Sequence, residues 1–257
     1  MSALGAAPVA RDRSATEKVV AVTEALQHEH RLSEIARHAE LPTSTVHRIL
    51  QQLATLGWVR AGEDRSYRIG ARLLALVSRA GEESNLVHAA RETLLTLCER
   101  TGHTVHFAVR QGDEAVYVDK LDGRSAYQMR SRVGLAISLH STAIGKSILA
   151  RLPDAEVRSL ATRTGLPAKT DRTITDATVL LAHLALVRRH GFAVDDEENE
   201  VHVRCIGAAV VDHRGLPVGG LSISTLAFEL DVDQVRRLAP LVVAAAREVS
   251  SALGAQV

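Results

Sequence analysis

Leu32–Leu53 reads LSEIARHAELPTSTVHRILQQL, and its apolar residues fall in two blocks at helical spacing. Leu32, Ile35, Ala36 and Ala39 form the first block; Val46, Ile49, Leu50 and Leu53 form the second. Glu40-Leu41-Pro42 separates them. Proline presets φ and lacks an N–H, so it stands at or just before a first helical turn and not inside a helix. The stretch therefore predicts a short helix, a tight turn and a second helix whose apolar stripe packs on the first. Opposite that stripe lie Thr43, Ser44, Thr45, His47, Arg48, Gln51 and Gln52, concentrated at the start of the second helix. Hydroxyls, amides and a guanidinium in those first turns are the groups a recognition helix brings to phosphates and base edges in the major groove. A polar outer face is also normal for any surface helix, so the helix pair alone does not decide the matter.

The residues that follow tip the balance towards DNA. Gly57-Trp58-Val59-Arg60, a polar tip from Ala61 to Ser66, and Tyr67-Arg68-Ile69 read as two short strands around a turn containing glycine. A hairpin placed there is the wing of a winged helix-turn-helix. Arg60, Arg65 and Arg68 are placed to touch backbone phosphate, which adds affinity but little sequence information. Upstream, Val19, Val22 and Leu26 predict a supporting helix over Ala15–Gln27, with Ser14 as its N-cap. Residues 1–13 read as a disordered tail.

Beyond the wing, Ala71–Arg79 (ARLLALVSR) predicts a linker helix so apolar that it needs a partner. The expected organisation is a tail (1–13), a DNA-binding domain (14–70), a linker helix (71–84) and a second domain (85–257). In that second domain helices are expected over Leu86–Arg100, Ala143–Arg151, Asp154–Thr162, Asp176–His190 and Asp231–Leu253. Strands are expected over Thr104–Arg110, Ala115–Leu121, Tyr127–Ser138 (with a turn at Gly134), Phe192–Asp195, Cys205–Val211 and Val218–Ser224. Helices flanking an antiparallel sheet define an α+β domain of the small-molecule sensor type.

Composition fits this reading without deciding it. The chain of 257 residues is 46% hydrophobic and 24% charged, with net charge +1. Residues 1–80 hold 11 Lys+Arg against 8 Asp+Glu, and the rest hold 20 against 22, so a weakly basic head precedes a weakly acidic body. No run approaches a membrane span of about 18 apolar residues, and the N-terminus lacks the pattern of a signal peptide. Cys98 and Cys205 form no CxxC or disulfide framework, which fits a reducing cytoplasm.

Several sharper chemistries fail. Gly145-Lys146-Ser147 ends like a phosphate-binding loop, but His140 occupies the first glycine position of GxxxxGK[ST]. The twelve histidines show no HExxH and no zinc spacing, so no metal is assigned, although His103, His106 and His140 on neighbouring strands leave a composite site open. Cys205 with His202 or His213 makes a weak nucleophile and base, since a thiol on a buried strand is more often a small hydrophobe. No catalytic residue and no cofactor is expected.

In sum the chain resembles the IclR-type transcriptional regulators over nearly its whole length. The likeness is carried by LSEIARHAELPTSTVHRILQQLATLGWV, YRIGARLLAL, LHSTAIGKSILARLP, RTITD, and RRHGFAVDDEENEVHVRCIGAAVVDHRG followed by GGLSIST. The resemblance implies a winged-helix head, a linker helix and an effector domain on a six-stranded antiparallel sheet of GAF/PAS-like type. It also implies homodimers that often pair into dimers of dimers on double-stranded operator DNA. It implies a ligand carboxylate held by backbone amides at Ala143 and Ile144, with Asp195, Cys205, Ser222 and Ser224 at four further ligand positions. Here Ile144 is bulkier than the small residue usual in the family. The implied function is a cytoplasmic regulator, a repressor before an activator, tuned by a small carboxylic acid. A small-molecule enzyme with a vestigial head and a ligand-insensitive DNA binder are the alternatives.

Overall fold

The computed structural model describes residues 13–26, 28–62, 64, 66–76, 85–125 and 129–256. It divides into two compact units, Met1–Glu83 and Ser84–Val257.

The first unit contains α1 (Ala15–Ala25), α2 (Leu32–His38), α3 (Thr43–Thr55) and the strands β1 (Val59–Ala61) and β2 (Tyr67–Ile69). Ser14 begins α1 through a capping box: its hydroxyl accepts from the Glu17 amide, and Glu17 accepts from the Ser14 amide. Arg13, at the edge of the expected tail, donates to the Ala39 carbonyl at 2.6 Å and so satisfies the end of α2. The turn into α3 carries Glu40 at φ +53°, a left-handed conformation unusual for a residue with a Cβ. Val22, Ile35, Val46, Leu50 and Leu53 close one core beneath the three helices, and Val59 and Tyr67 of the wing join it. The wing is antiparallel, with Val59, Arg60 and Ala61 opposite Ile69, Arg68 and Tyr67. Residues 71–76 are helical (α4) and expose Leu74 and Leu76; the rest of the expected linker helix lies outside the described residues.

The second unit is a six-stranded antiparallel sheet in the order β5-β4-β3-β8-β7-β6. The strands are β3 (Thr104–Gln111), β4 (Glu114–Leu121), β5 (Ala136–Ser138), β6 (Ala193–Asp196), β7 (Val203–Val211) and β8 (Pro217–Leu226). Helices α5 (Asn85–Thr101) and α9 (Val232–Ala252) cover one face, and α6 (Ala143–Leu149), α7 (Asp154–Thr164) and α8 (Ala177–His190) the other. Because strand side chains alternate, Val105, Phe107, Ile206, Ala208, Leu221 and Ile223 pack under α5 and α9. Their neighbours face α6.

One expected strand is a correction. Among the described residues of Tyr127–Ser138 only Ala136–Ser138 is a strand; residues 129–135 are irregular around the expected turn at Gly134, and Tyr127 and Gln128 lie outside the described residues. Gly134 turns at φ +87°, and its amide donates to Tyr117 at 2.8 Å. The polar run Arg130-Ser131-Arg132 leaves the ladder, and Arg130 and Ser131 line a cavity instead.

Candidate functional site

Register explains how residues far apart in sequence meet on the α6 side of the sheet. Asp195 pairs with Cys205, Cys205 with Ser224 and Ser224 with Thr104, a row that crosses four strands. The next row on the same face is Ala193, Gly207, Ser222 and His106. Gly207 is what lets α6 approach: a Cβ there would lie 2.7 Å from the Ala143 carbonyl carbon and 2.8 Å from the Ile144 nitrogen. At Gly145 a Cβ would lie 2.3 Å from the Leu139 Cα. The first turn of α6 therefore rests directly on the floor of the sheet. Thr142 caps it, accepting from the Gly145 amide at 3.0 Å.

Between floor and helix lies a cavity of about 120 Å³. Ala143, Ile144, Asp195, Cys205, Ser222 and Ser224, the six residues named from the sequence, all line it. Ser222, Ser224 and Asp195 are buried. The Oδ1 atom of Asp195 accepts from the amides of Glu198 at 2.8 Å and Asn199 at 3.2 Å. Burial nevertheless dominates: it raises the Asp195 carboxyl to about 7, with Lys146 and the two amides pulling the other way. Burial also pushes the Cys205 thiol up, so it stays a thiol.

Sequence reasoning missed a second set of lining residues. His106 sits between Ser131 Oγ, 2.6 Å from its Nε2, and Ser224 Oγ, 3.3 Å from its Nδ1, and its ring lies 4.8 Å from that of Tyr117. Burial and the Lys120 charge lower its pKa to about 3, so it is a neutral imidazole. From the sequence His106 enters only with His103 and His140, as a composite metal site left open. His140 instead bonds the Pro167 carbonyl at 3.0 Å, and no group of three or more metal-ligating side chains exists among the described residues. Arg130 and Ser131 escaped because their segment reads as strand. Register could have found His106, since it stands on the neighbouring strand opposite Ser222.

Behind the cavity, Lys146 of α6 is fully buried; its ammonium donates to the Val194 carbonyl at 2.7 Å and to Glu198. This ion pair joins α6 to the loop after β6, the same loop whose amides hold Asp195.

On the first unit, α3 buries Val46, Ile49, Leu50 and Leu53. It exposes Thr43, Ser44, His47, Arg48, Gln51 and Gln52, with Thr45 half-buried. Gln51 Nε2 reaches the Tyr67 hydroxyl at 3.5 Å, so part of its capacity is turned towards the wing. Arg60 and Arg68 are exposed on the hairpin. Arg65 lies outside the described residues.

A helix-turn-helix unit with a wing, on one chain with a sensor-type domain built around a cavity of mixed polar and apolar lining, defines a DNA-binding regulator. Comparison with known proteins agrees. Residues 15–62 match the IclR helix-turn-helix domain, and residues 79–251 match the bacterial transcriptional regulator IclR C-terminal domain. The chain belongs to the IclR family of transcriptional regulators, which are DNA-binding proteins and not enzymes. It is 33% identical over 244 residues to the HTH-type transcriptional regulator KdgR of Escherichia coli K12, covering 94% of this chain and 93% of that protein. It is also 33% identical over 226 residues to the transcriptional repressor IclR of the same organism, covering 87% and 82%. The crystal structure of the Thermotoga maritima IclR superposes with a TM-score of 0.77 at 33% identity, covering 93% of this chain and 98% of that one. A more distant fold likeness, at 23% identity and a TM-score of 0.81, is an IclR homologue from Microbacterium hydrocarbonoxydans complexed with 4-hydroxybenzoate; it covers 93% and 99%. Among the described residues no helix is long and apolar enough to cross a membrane.

Proposed function

We propose that this chain is a repressor whose affinity for operator DNA is set by a small carboxylic acid bound in the cavity under α6. The observation that carries the reading is the convergence of Ala143, Ile144, Asp195, Cys205, Ser222 and Ser224, from four separate stretches of sequence, on one cavity. The effector carboxylate takes the Ala143 and Ile144 amides, which precede the first amides bonded within α6, and the Ser222 and Ser224 hydroxyls add neutral donors. Asp195 in its protonated form supplies one more donor. Support from outside the chain is modest and consistent: a relative is named a repressor, and a distant homologue was crystallised with 4-hydroxybenzoate, itself a carboxylic acid.

DNA is read by α3 in the major groove, through Thr43, Ser44, Thr45, His47, Arg48 and Gln51. Arg65 and Arg68 of the wing take backbone phosphate. The protein acts in the cytoplasm as a homodimer that pairs on a pseudo-palindromic operator. Effector binding shifts the population between arrangements of the two heads, to the extent that the acid binds one arrangement more tightly than the other.

The test has two stages. Duplexes that bind the full chain are selected from a random library, and the enriched duplex is then titrated in the presence of 2-oxo, hydroxy, sugar and aromatic acids. The reading expects one class to change duplex affinity by about fivefold or more. A duplex affinity that no acid moves would overturn the effector assignment, and failure to enrich any sequence would overturn the operator assignment.

A further inference from the structure

The lining of the cavity is chemically two-ended. Its buried end holds Ser222, Ser224 and Asp195; its solvent end holds Arg130, which is exposed. Leu135, Ile137 and Ile144 supply apolar wall. The charged side chains among the lining residues are Asp195, Glu200 and Arg130, so Arg130 is the one cation there among the described residues.

Arg130 is held at its place from both sides. The carbonyl of buried Met129 accepts from Lys120 Nζ at 3.1 Å, and Ser131 Oγ bonds His106 Nε2 at 2.6 Å. The backbone at Arg130 is therefore tied to β4 and β3, while among the described residues its guanidinium makes no hydrogen bond or ion pair. Other arginines of this unit do find carboxylates: Arg91 pairs with Asp119, Arg110 with Glu156 and Arg163 with Asp113. A planar fork of five donors without a partner among the described residues, at the rim of a cavity with a polar inner end, is suited to a carboxylate or another planar acid group.

We infer that Arg130 is a specificity-determining residue that pairs with a second acidic group of the effector, so that the effector class is compact diacids. One acid group lies at the amides of α6 and the two serines, a short apolar segment passes Ile137 and Ile144, and the second acid group meets the guanidinium at the rim. The inference rests on the carboxylate reading of the cavity given above. Because the rim is wet, the second contact adds selectivity more than affinity, and it weakens as salt rises.

Isothermal titration of the full chain with matched pairs tests this: succinate against butyrate, and 2-oxoglutarate against 2-oxopentanoate. At least one diacid is expected to bind about tenfold more tightly than its monoacid at low salt, an increment ordinary for one charge-assisted contact. Arg130→Gln abolishes that preference and leaves monoacid affinity within about twofold, while Arg132→Gln, next but one in sequence and outside the lining, leaves both unchanged. Equal affinity within each pair, or a diacid preference that survives Arg130→Gln, overturns the role of Arg130 and leaves the carboxylate reading in place. No binding by any of the four acids, together with no response to the wider acid panel, overturns both.

Discussion

Arg60 and Arg68 stand directly opposite each other in the β1–β2 ladder, both exposed. Like charges facing across a strand pair destabilise it, by roughly 0.2–1 kcal/mol on the usual scale of such pairs. On the proposed reading of the wing, a phosphate bound between the two guanidinium groups would reverse the sign of that cost. Arg60→Ala and Arg68→Ala are therefore expected to leave thermal stability unchanged or slightly raised. Each also lowers the slope of log affinity against log salt by about one unit, read by fluorescence anisotropy of a labelled duplex. An unchanged slope in both variants would remove the wing from the interface.

Recognition by α3 makes a different prediction, because base contacts act on sequence preference and not only on affinity. Arg48→Ala is expected to cost about 1–3 kcal/mol on the selected duplex and to relax preference at one base position. Ser44→Ala costs less. Both side chains are exposed, so circular dichroism and the melting temperature stay at wild-type values. Wild-type affinity in both variants would place the reading surface elsewhere on the head.

Ser222→Ala combined with Ser224→Ala removes two buried hydroxyls from the cavity floor while keeping the strand. Effector-dependent change in duplex affinity should fall by about tenfold or more in ligand concentration, with duplex binding in the absence of ligand unaltered. The same titration in wild type and variant decides it; a normal response would mean the acid sits in another place.

Asp195 predicts a pH dependence of definite sign. Burial raises its carboxyl from 3.8 to about 7, so the folded chain holds this proton more tightly than the unfolded chain. The stabilisation is complete below pH 3.8 and is lost as pH rises through about 7. Burial acts oppositely on His106 and His183, lowering them to about 3 and about 4. Their contribution is complete above 6.5 and is lost as pH falls through those values. Asp195→Asn isolates the first effect. The unfolding free energy of wild type relative to Asp195→Asn, from urea titrations, should decline between pH 4 and pH 8, by an amount on the order of a few kcal/mol at most. A constant difference would mean that Asp195 is ionised throughout.

Gly207→Ala tests the seat of α6. Its Cβ would meet the Ala143 and Ile144 backbone at 2.7–2.8 Å, and backbone cannot step aside as a flexible side chain can. A loss of about 1–3 kcal/mol by denaturant unfolding is expected, together with loss of the effector response. Wild-type stability would show that α6 has slack the packing does not reveal.

Much of this was legible in the sequence because its signals are periodic. Val46, Ile49, Leu50 and Leu53 announce α3 by spacing, and Pro42 fixes where it starts. Ser222 and Ser224, two apart on a strand, had to share a face. What resisted was register and irregular backbone. Nothing in the local sequence says that His106 stands opposite Ser222, since that pairing depends on which strands are neighbours and at what offset. The segment Tyr127–Ser138 reads as strand with a turn at Gly134, yet residues 129–135 leave the ladder: Ser131 bonds His106, and Arg130 lines the cavity instead of facing a neighbour across a sheet. The family resemblance supplied the six lining residues that alternation alone would not have assembled.

The contact between α6 and Gly207 also bears on how a binding site of this kind can change. With main chain resting on main chain, the helix cannot come closer to the sheet, so on the proposed reading a different ligand is accommodated most readily by exchanging side chains. The serines and the aspartate are interior and costly to replace, whereas Arg130, Met129 and Leu135 sit on an irregular segment outside the strand ladder. Diversification within this scaffold should concentrate at that rim, where an amino-acid exchange re-tunes selectivity without disturbing the fold beneath it.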